Sequence, residues 1–357
     1  MNGYYPSPSP HGYTPSPHPG SGTQTPDANG APGQNGNSQI KVQPLLCSGH
    51  TRPVTHLQFS NLRDDGSYLL ISACKDGNPM LRSWLGDWIG TFLGHKGAVW
   101  SSKISLDTSR AVTGSADFTA KIWDCISGES LHSFAHNHIV RSVALSPQQT
   151  PQYLLTGGNE KKIRLFDLGR PDAEPLVLGS NPDGLSCNGT VRSLVWDEAQ
   201  GGAVGVSAAE DGIVRWWDLR TLSQTASLDL KDPISSMELA HGGGTLSVTA
   251  GNKVHFLDIL RQHPPVTVPL PHTPTSASLH PFLRDRFVAG SANDPWVRVY
   301  DLDTGVEKEV YKGHHGPVLC ASYSPDGEVY ASGSEDGTIR LWQTNPGKSY
   351  GLWQTQE

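Results

Sequence analysis

Two stretches of the chain share one pattern, and that pattern decides the fold. The first runs Gly94-His95, Thr113, Asp117, Trp123-Asp124, and the second runs Gly313-His314, Ser332, Asp336, Trp342-Gln343. In both stretches the Trp follows the Asp after six residues, and the Asp lies in a turn between two runs of strand-forming residues. A tight turn between such runs is typical of a β-hairpin. Each stretch therefore predicts antiparallel strands that turn at the Asp and end at the Trp.

The Trp-Asp position recurs along the chain, in complete or altered form. It falls at Arg82-Ser83, Trp123-Asp124, Phe166-Asp167, Trp217-Asp218, Leu257-Asp258, Tyr300-Asp301 and Trp342-Gln343. From the second unit onward the spacings are 43, 51, 40, 43 and 42 residues, and the longest interval holds an insertion around Pro171 to Ser186. This pattern resembles the WD40 repeat family, in which each unit is one four-stranded blade. The resemblance implies an all-β fold, a seven-bladed β-propeller.

The repeated polar residues predict a structural role in each blade. A Trp indole N–H, a Ser or Thr hydroxyl, a His ring and an Asp carboxylate can form one buried chain of hydrogen bonds. A Ser/His/Asp set also resembles a hydrolase triad, but a nucleophile has no reason to be copied into separate blades. We expect two complete structural tetrads: His95, Thr113, Asp117 and Trp123 in blade two, and His314, Ser332, Asp336 and Trp342 in blade seven.

The other units depart from the pattern at specific positions. Arg82 replaces the Trp of blade one, Cys187 replaces the His of blade four, and Glu160 with Phe166 replaces Asp with Trp in blade three. Leu257 and Tyr300 hold the Trp positions of blades five and six. In blade six, Gly290 is expected at the Ser position and His272 out of register.

Composition divides the chain into two parts. Residues 1–40 are rich in Pro, Ser and Gly, and Asp27 is their single charge. Such a segment cannot bury a core, so we expect a disordered tail at 1–40 and the propeller at 41–357. Closing the ring requires the first and last blades to share strands. Lys41 to Cys47 is expected to supply the outer strand of blade seven, and Ser349–Trp353 to pack against the rim.

Charge and motifs exclude several kinds of function. The net charge is −7, and −6 remains without the tail, which is unlike a generic nucleic-acid binder. Five cysteines without a C-x-x-C pair fit reduced thiols. No run approaches about 18 apolar residues, so a membrane span is not expected. No ligand set at zinc spacing and no phosphate-binding loop is found, so we expect no enzyme activity, no metal and no cofactor.

One face of the predicted propeller carries candidate partner-binding residues. The loops beside the His and Asp positions converge on that face, and they carry basic and aromatic side chains of the kind that anchor interfaces. The candidates are Arg52, Lys75, Lys96, Trp100, Phe118 and Arg141. Two alternatives remain open: the basic residues are ordinary solvated charges, and Trp100 and Phe118 are buried between blades.

Longer strings give a more specific resemblance. They are Cys47–Val54, Leu70–Gly77, Gly86–Trp100, Ala116–Lys121, Tyr330–Thr344 and Tyr350–Trp353. These strings resemble the serine-threonine kinase receptor-associated family, also called Unr-interacting proteins. The similarity spans about residues 41–356 and is weak from Arg170 to Thr275.

That resemblance implies a scaffold with protein partners. It implies an adaptor of the survival-of-motor-neuron complex, which loads Sm proteins onto spliceosomal small nuclear RNAs, with survival-of-motor-neuron and Gemin-type subunits as partners. It also implies contact with an Unr-like RNA-binding protein, with RNA itself contacted only indirectly. Further implied roles are links to mRNA translation and to receptor-kinase signalling. The protein would be a monomeric propeller, located in the cytoplasm and nucleus. The alternatives are subunit i of eukaryotic translation initiation factor three and, from another class, a substrate receptor of a ubiquitin ligase.

Overall fold

The computed structural model describes residues 43–179, 184–197 and 203–347, and in these ranges the regular structure is entirely β. The strands form seven four-stranded antiparallel sheets, which are the seven blades predicted from the repeats. The tail predicted for 1–40 and the packing predicted for Ser349–Trp353 lie outside the described residues.

The first four blades follow one another along the chain. Blade one contains β2 Val54–Phe59, β3 Leu69–Cys74, β4 Met80–Ser83 and β5 Trp88–Thr91. Blade two contains β6 Val99–Ile104, β7 Arg110–Ser115, β8 Thr119–Asp124 and β9 Ser130–Ala135. Blade three contains β10 Val140–Leu145, β11 Tyr153–Gly158, β12 Ile163–Asp167 and β13 Leu176–Val177. Blade four contains β14 Val191–Trp196, β15 Val204–Ala209, β16 Ile213–Asp218 and β17 Ser223–Asp229.

The last three blades complete the ring. Blade five contains β18 Ile234–Leu239, β19 Thr245–Ala250, β20 Lys253–Asp258 and β21 Val266–Pro269. Blade six contains β22 Pro274–Leu279, β23 Arg286–Ser291, β24 Trp296–Asp301 and β25 Glu307–Lys312. Blade seven contains β26 Val318–Tyr323, β27 Val329–Ser334, β28 Ile339–Gln343 and, from the start of the chain, β1 Leu45–Cys47.

The strand β1 closes the ring as the sequence predicts. It pairs antiparallel with β28, placing Leu45 opposite Leu341 and Cys47 opposite Ile339. Cys47 is 4% exposed and packs in a hydrophobic cluster that joins blade seven to blade one. Because strands from both ends of the chain meet in blade seven, backbone N–H and C=O groups that an open ring would leave free are hydrogen-bonded.

Apolar side chains between neighbouring blades form the core. Seven hydrophobic clusters are found among the described residues, and each joins two adjacent blades. For example, Ile71 of blade one packs with Ala111 and Trp123 of blade two. The second strands are buried along most of their length, as in β7, whereas outer strands such as β17 are largely exposed. Because packing between blades fixes the ring, the loops at its two ends are left for function.

Candidate functional site

The repeated polar residues of blades two and seven form buried hydrogen-bond chains. In blade two, Trp123 Nε1 donates to Thr113 Oγ1 at 2.8 Å, and Thr113 Oγ1 lies 2.7 Å from His95 Nε2. His95 Nδ1 lies 2.7 Å from Asp117 Oδ2. A carboxylate only accepts, so the proton is on Nδ1, and Nε2 accepts from the threonine hydroxyl.

Blade seven repeats this arrangement. Trp342 Nε1 donates to Ser332 Oγ at 2.8 Å, His314 Nε2 lies 2.7 Å from the same oxygen, and Nδ1 lies 3.3 Å from Asp336 Oδ2. Burial alone would raise the pKa of Asp336, but hydrogen bonds from the His315 amide and from Thr338 lower it to about 2. Burial lowers the pKa of His314 to about 4. Since Thr113 and Ser332 are fully buried, neither hydroxyl can meet a substrate.

Three blades replace the His–Asp contact with an ion pair that we did not predict. In blade four, Arg215 Nη2 lies 2.7 Å from Asp211 Oδ2, while Cys187 occupies the predicted His position. Arg298 pairs in the same way with Asp294 in blade six, at 2.8 Å. Arg164 pairs with Glu160 in blade three, where the His136 ring turns its Nδ1 to the carbonyl of Phe134. The Arg is four residues after the carboxylate in all three blades, but this spacing is not a sufficient signal, because Asp336 and Arg340 of blade seven share it while Asp336 contacts His314.

Two expectations for blade six are wrong. Ala289, not Gly290, lies at the Ser position, because Ala289 pairs with Arg298 two residues before the Trp position, as Thr113 pairs with Lys121. His272 takes the His position of the blade pattern, because its Nδ1 lies 3.3 Å from the hydroxyl of Tyr300, the residue at the Trp position. Alanine has no hydroxyl, so His272 Nε2 is left without a hydrogen-bond partner among the described residues.

Blade one keeps the polar chain without the Trp. His50 lies 2.8 Å from Ser72 Oγ and 3.1 Å from Asp76 Oδ2. The Arg82 side chain takes the place of the indole and donates to the carbonyls of Gly86 and Ser48. His50, Cys74 and Asp76 offer ligand atoms within 4.8 Å of one another, but Cys74 Sγ donates to the carbonyl of Arg52 at 3.0 Å. Hydrogen bonds within the blade account for this group.

A β-bulge at the start of each inner strand builds the mouth of the central channel. In every blade the register shifts near the start of the inner strand, for example between Val99 and Ser101. A bulge leaves its extra residue outside the ladder and redirects the side chain. The seven residues released in this way all line one cavity of about 280 Å³: Thr55, Trp100, Arg141, Arg192, Ser235, Thr275 and Leu319.

The charged and aromatic residues occupy one side of this mouth. Trp100, Arg141 and Arg192 come from consecutive blades two, three and four, and Lys75 joins them from the β3–β4 turn. Arg141 Cζ lies 3.8 Å from the centre of the Trp100 ring, and Lys75 Nζ lies 5.4 Å from it. These distances fit cation–π contacts.

Hydroxyl groups line the opposite side. Thr55 donates to the carbonyl of Val99 at 2.6 Å, and Thr275 to the carbonyl of Val318 at 2.5 Å. These bonds join neighbouring inner strands, which belong to different sheets. The hydroxyl groups on this side of the mouth therefore have a structural role. The charged side carries hydrogen-bond donors, such as the Trp100 indole N–H, that have no acceptor among the described residues.

The six candidate residues divide into two groups in the structure. Lys75, Trp100 and Arg141 come together at the mouth, and Trp100 lies half-buried in the channel wall, not between blades. Arg52 and Lys96 are exposed and lie outside the cavity lining. Phe118 is 43% exposed, and its ring centre lies 5.5 Å from that of His138. Arg192 belongs to the mouth but was missed, although it follows the first residue of its inner strand as Trp100 and Arg141 do.

The middle of the channel carries two further ionisable side chains. Lys103 and Glu238 line both this cavity and a larger one, of about 430 Å³, that opens toward the other end. Glu238 Oε1 accepts a hydrogen bond from Ser322 Oγ at 2.6 Å, whereas Oε2 has no partner among the described residues. Burial raises the pKa of Glu238 to about 7.

Comparison with known proteins decides the family. The WD domain, G-beta repeat model matches residues 86–124, 128–167 and 305–343. A serine-threonine kinase receptor-associated protein of Mus musculus is 47% identical over 318 residues, covering 88% of this chain and 86% of that protein. This chain belongs to the serine-threonine kinase receptor-associated family. Its Dictyostelium discoideum member is 47% identical over 302 residues, covering 84% of this chain and 99% of the relative.

Initiation-factor subunits are more distant relatives of this chain. Subunit I of eukaryotic translation initiation factor 3 from Nematostella vectensis is 29% identical over 327 residues, covering 85% of this chain and 97% of the relative. The WD repeats and the seven blades make this chain a propeller of the scaffold kind. Of the described residues, no helix is long and apolar enough to cross a membrane.

Proposed function

We propose that this chain is a non-enzymatic adaptor of a survival-of-motor-neuron-type complex, which assists the loading of Sm proteins onto spliceosomal small nuclear RNAs. Membership in the receptor-associated family is the observation that carries this proposal. The buried tetrad hydroxyls support a structural reading of the repeated Ser/His/Asp sets. The charged mouth of the channel offers an interface on one face of the ring.

The partners follow from the same proposal. Gemin-type subunits and an Unr-like RNA-binding protein contact the propeller, which acts as one monomer in a larger assembly. RNA is held by these partners, since the chain has a net charge of −7. In this proposal the protein works in both cytoplasm and nucleus. Imaging of a tagged copy expressed from its own promoter tests this location. The relatives' name refers to a kinase receptor, and we extend to this chain only the adaptor role.

Affinity purification tests the proposal. The protein is tagged, isolated at near-physiological salt and analysed by mass spectrometry, with RNA sequencing of the eluate. We expect survival-of-motor-neuron and Gemin subunits with Sm proteins and small nuclear RNAs. An unrelated tagged propeller, purified in parallel, is the control for proteins that bind any such surface.

The same experiment separates the alternatives. A stoichiometric set of initiation-factor-three subunits would overturn the proposal in favour of the more distant relatives' role. Recovery of ubiquitin-ligase subunits without Sm proteins would instead favour a substrate receptor. Turnover in a hydrolase screen that survives purification would overturn the non-enzymatic assignment.

A further inference from the structure

Two positive charges, on Lys75 and Arg141, share one indole at the channel mouth. Arg141 Cζ lies 3.8 Å from the centre of the Trp100 ring, and Lys75 Nζ lies 5.4 Å from it. Among the described residues, neither cation forms an ion pair with a carboxylate. Like charges repel, and they do so more strongly where water is partly excluded. A negative group bound at the mouth would relieve this repulsion.

Comparison of neighbouring blades shows where the counter-charge is missing. The residue after the second strand faces the bulge residue of the same blade. In blade four it is Glu210, which pairs with Arg192. In blade three it is the neutral Asn159, whose Oδ1 lies 3.4 Å from Arg141 Nε. Glu210 therefore contacts Arg192 directly and acts on Arg141 only from a distance, and blade three supplies no carboxylate of its own at this position.

Unpaired donors mark the same side of the mouth. Trp100 Nε1 is buried and has no hydrogen-bond partner among the described residues. A buried indole N–H without an acceptor loses the hydrogen bond that it would make to water, so an acceptor bound there would be stabilised. Arg141 also lines the cavity, and a guanidinium carries N–H donors whose geometry matches the two oxygens of a carboxylate or phosphate.

We infer that the channel mouth is a receptor for an acidic peptide segment of a protein partner, with a side-chain carboxylate held by Arg141, Lys75 and the Trp100 N–H. The inference deepens the proposed adaptor function and rests on it. Single-stranded RNA fits less well, because Arg141 covers one face of the indole on which a base would stack. The negative net charge of the chain also opposes a long polyanion but not a short segment aimed at the mouth.

A labelled peptide of alternating Glu and Gly tests the inference with the purified full chain. Fluorescence anisotropy measures its Kd, and the same peptide with Gln in place of Glu is the reference. We expect the Glu peptide to bind and the Gln peptide to bind at least about tenfold more weakly, since charge-assisted hydrogen bonds carry the contact. Raising the salt concentration should weaken the Glu peptide only.

Three variants locate the site. Lys75→Gln with Arg141→Gln should weaken binding at least about tenfold. Asn159→Glu should do so as well, because it installs in blade three the carboxylate that blade four carries as Glu210. Lys96→Gln removes one charge from the same face outside the cavity lining, and it should leave Kd within about twofold. Circular dichroism and the melting temperature check that each variant is folded.

Other outcomes would overturn the inference. They are unchanged binding to Asn159→Glu, equal binding of the Glu and Gln peptides, tighter binding of a single-stranded RNA at the mouth, and displacement of the peptide by millimolar inorganic phosphate. This assay does not depend on which complex the protein joins. Purification of a different complex would therefore refute the proposed function while leaving the acidic-peptide site intact.

Discussion

At the scale of single residues, the buried polar chains turn repeat residues into hydrogen-bonded parts of each blade. The indole of Trp342 contributes both volume and one N–H donor, and these two contributions can be separated. Its N–H is bound by Ser332, whose hydroxyl in turn contacts His314. A substitution that removes only the donor should therefore cost less than one that also empties the space.

We expect Trp342→Ala to lower the free energy of unfolding by about 3–5 kcal/mol, through a cavity and the loss of the hydrogen bond that Ser332 accepts. Trp342→Phe keeps most of the ring and should cost less, about 1–3 kcal/mol. Denaturant unfolding of both variants and of the wild type measures the difference. Melting temperatures equal to that of the wild type would refute this account of the tetrad.

Glu238 gives stability a specific dependence on pH. Burial raises its folded-state pKa from the usual 4.5 to about 7. The contribution of Glu238 to the stability of the wild type is therefore fully present below pH 4.5. It is lost as the pH rises to about 7. Lys103, Ser278 and Ser322 act on the same carboxyl and lower its pKa, so they are kept unchanged in the test.

Glu238→Gln is neutral at every pH and should remove that loss. We expect the variant to gain stability relative to the wild type between pH 5 and 8, by about 1–3 kcal/mol at the upper end. Guanidinium unfolding at several pH values measures the difference. A constant difference across this range would show that Glu238 does not change its protonation on unfolding there.

At the scale of elements, the strand β1 closes the ring by pairing with β28. A chain that begins at Gly49 lacks β1, exposes the edge of blade seven and loses the buried Cys47. We expect a melting temperature several degrees lower and a greater tendency to aggregate, because β28 becomes a free edge. A chain that begins at Gln43 keeps β1 and is the matched control. Identical melting curves for the two chains would contradict the closure.

Much of the element pattern could be predicted from the sequence. The Trp-Asp position marked the end of the third strand in all seven blades, because a hairpin of fixed length precedes it. Blade six was misread at Ala289, because an apolar residue at the Ser position carries no polar signal. The arginine ion pairs of blades three, four and six were missed. In these blades the carboxylate contacts an Arg four residues later in the chain, where the repeat pattern predicts a contact with a His more than twenty residues earlier.

The binding mouth was only partly predictable. Trp100 and Arg141 were found because they lie beside recognisable repeat residues, whereas the insertion before blade four obscured Arg192. Arg52 and Lys96 were chosen by the same criterion, yet they lie outside the cavity lining. The difference lies in the bulge, which turns one particular residue of each inner strand into the channel and has no clear signature in a single sequence.

At the scale of the whole molecule, the central claim is that this propeller holds protein partners through the charged side of its channel mouth. The measurement that tests it most directly is quantitative mass spectrometry of proteins that co-purify with the tagged wild type, with Lys75→Glu/Arg141→Glu and with Lys96→Glu. We predict that the wild type and Lys96→Glu retain the same survival-of-motor-neuron-type subunits and that the double variant loses them. An unchanged set of partners on a folded double variant would contradict the claim.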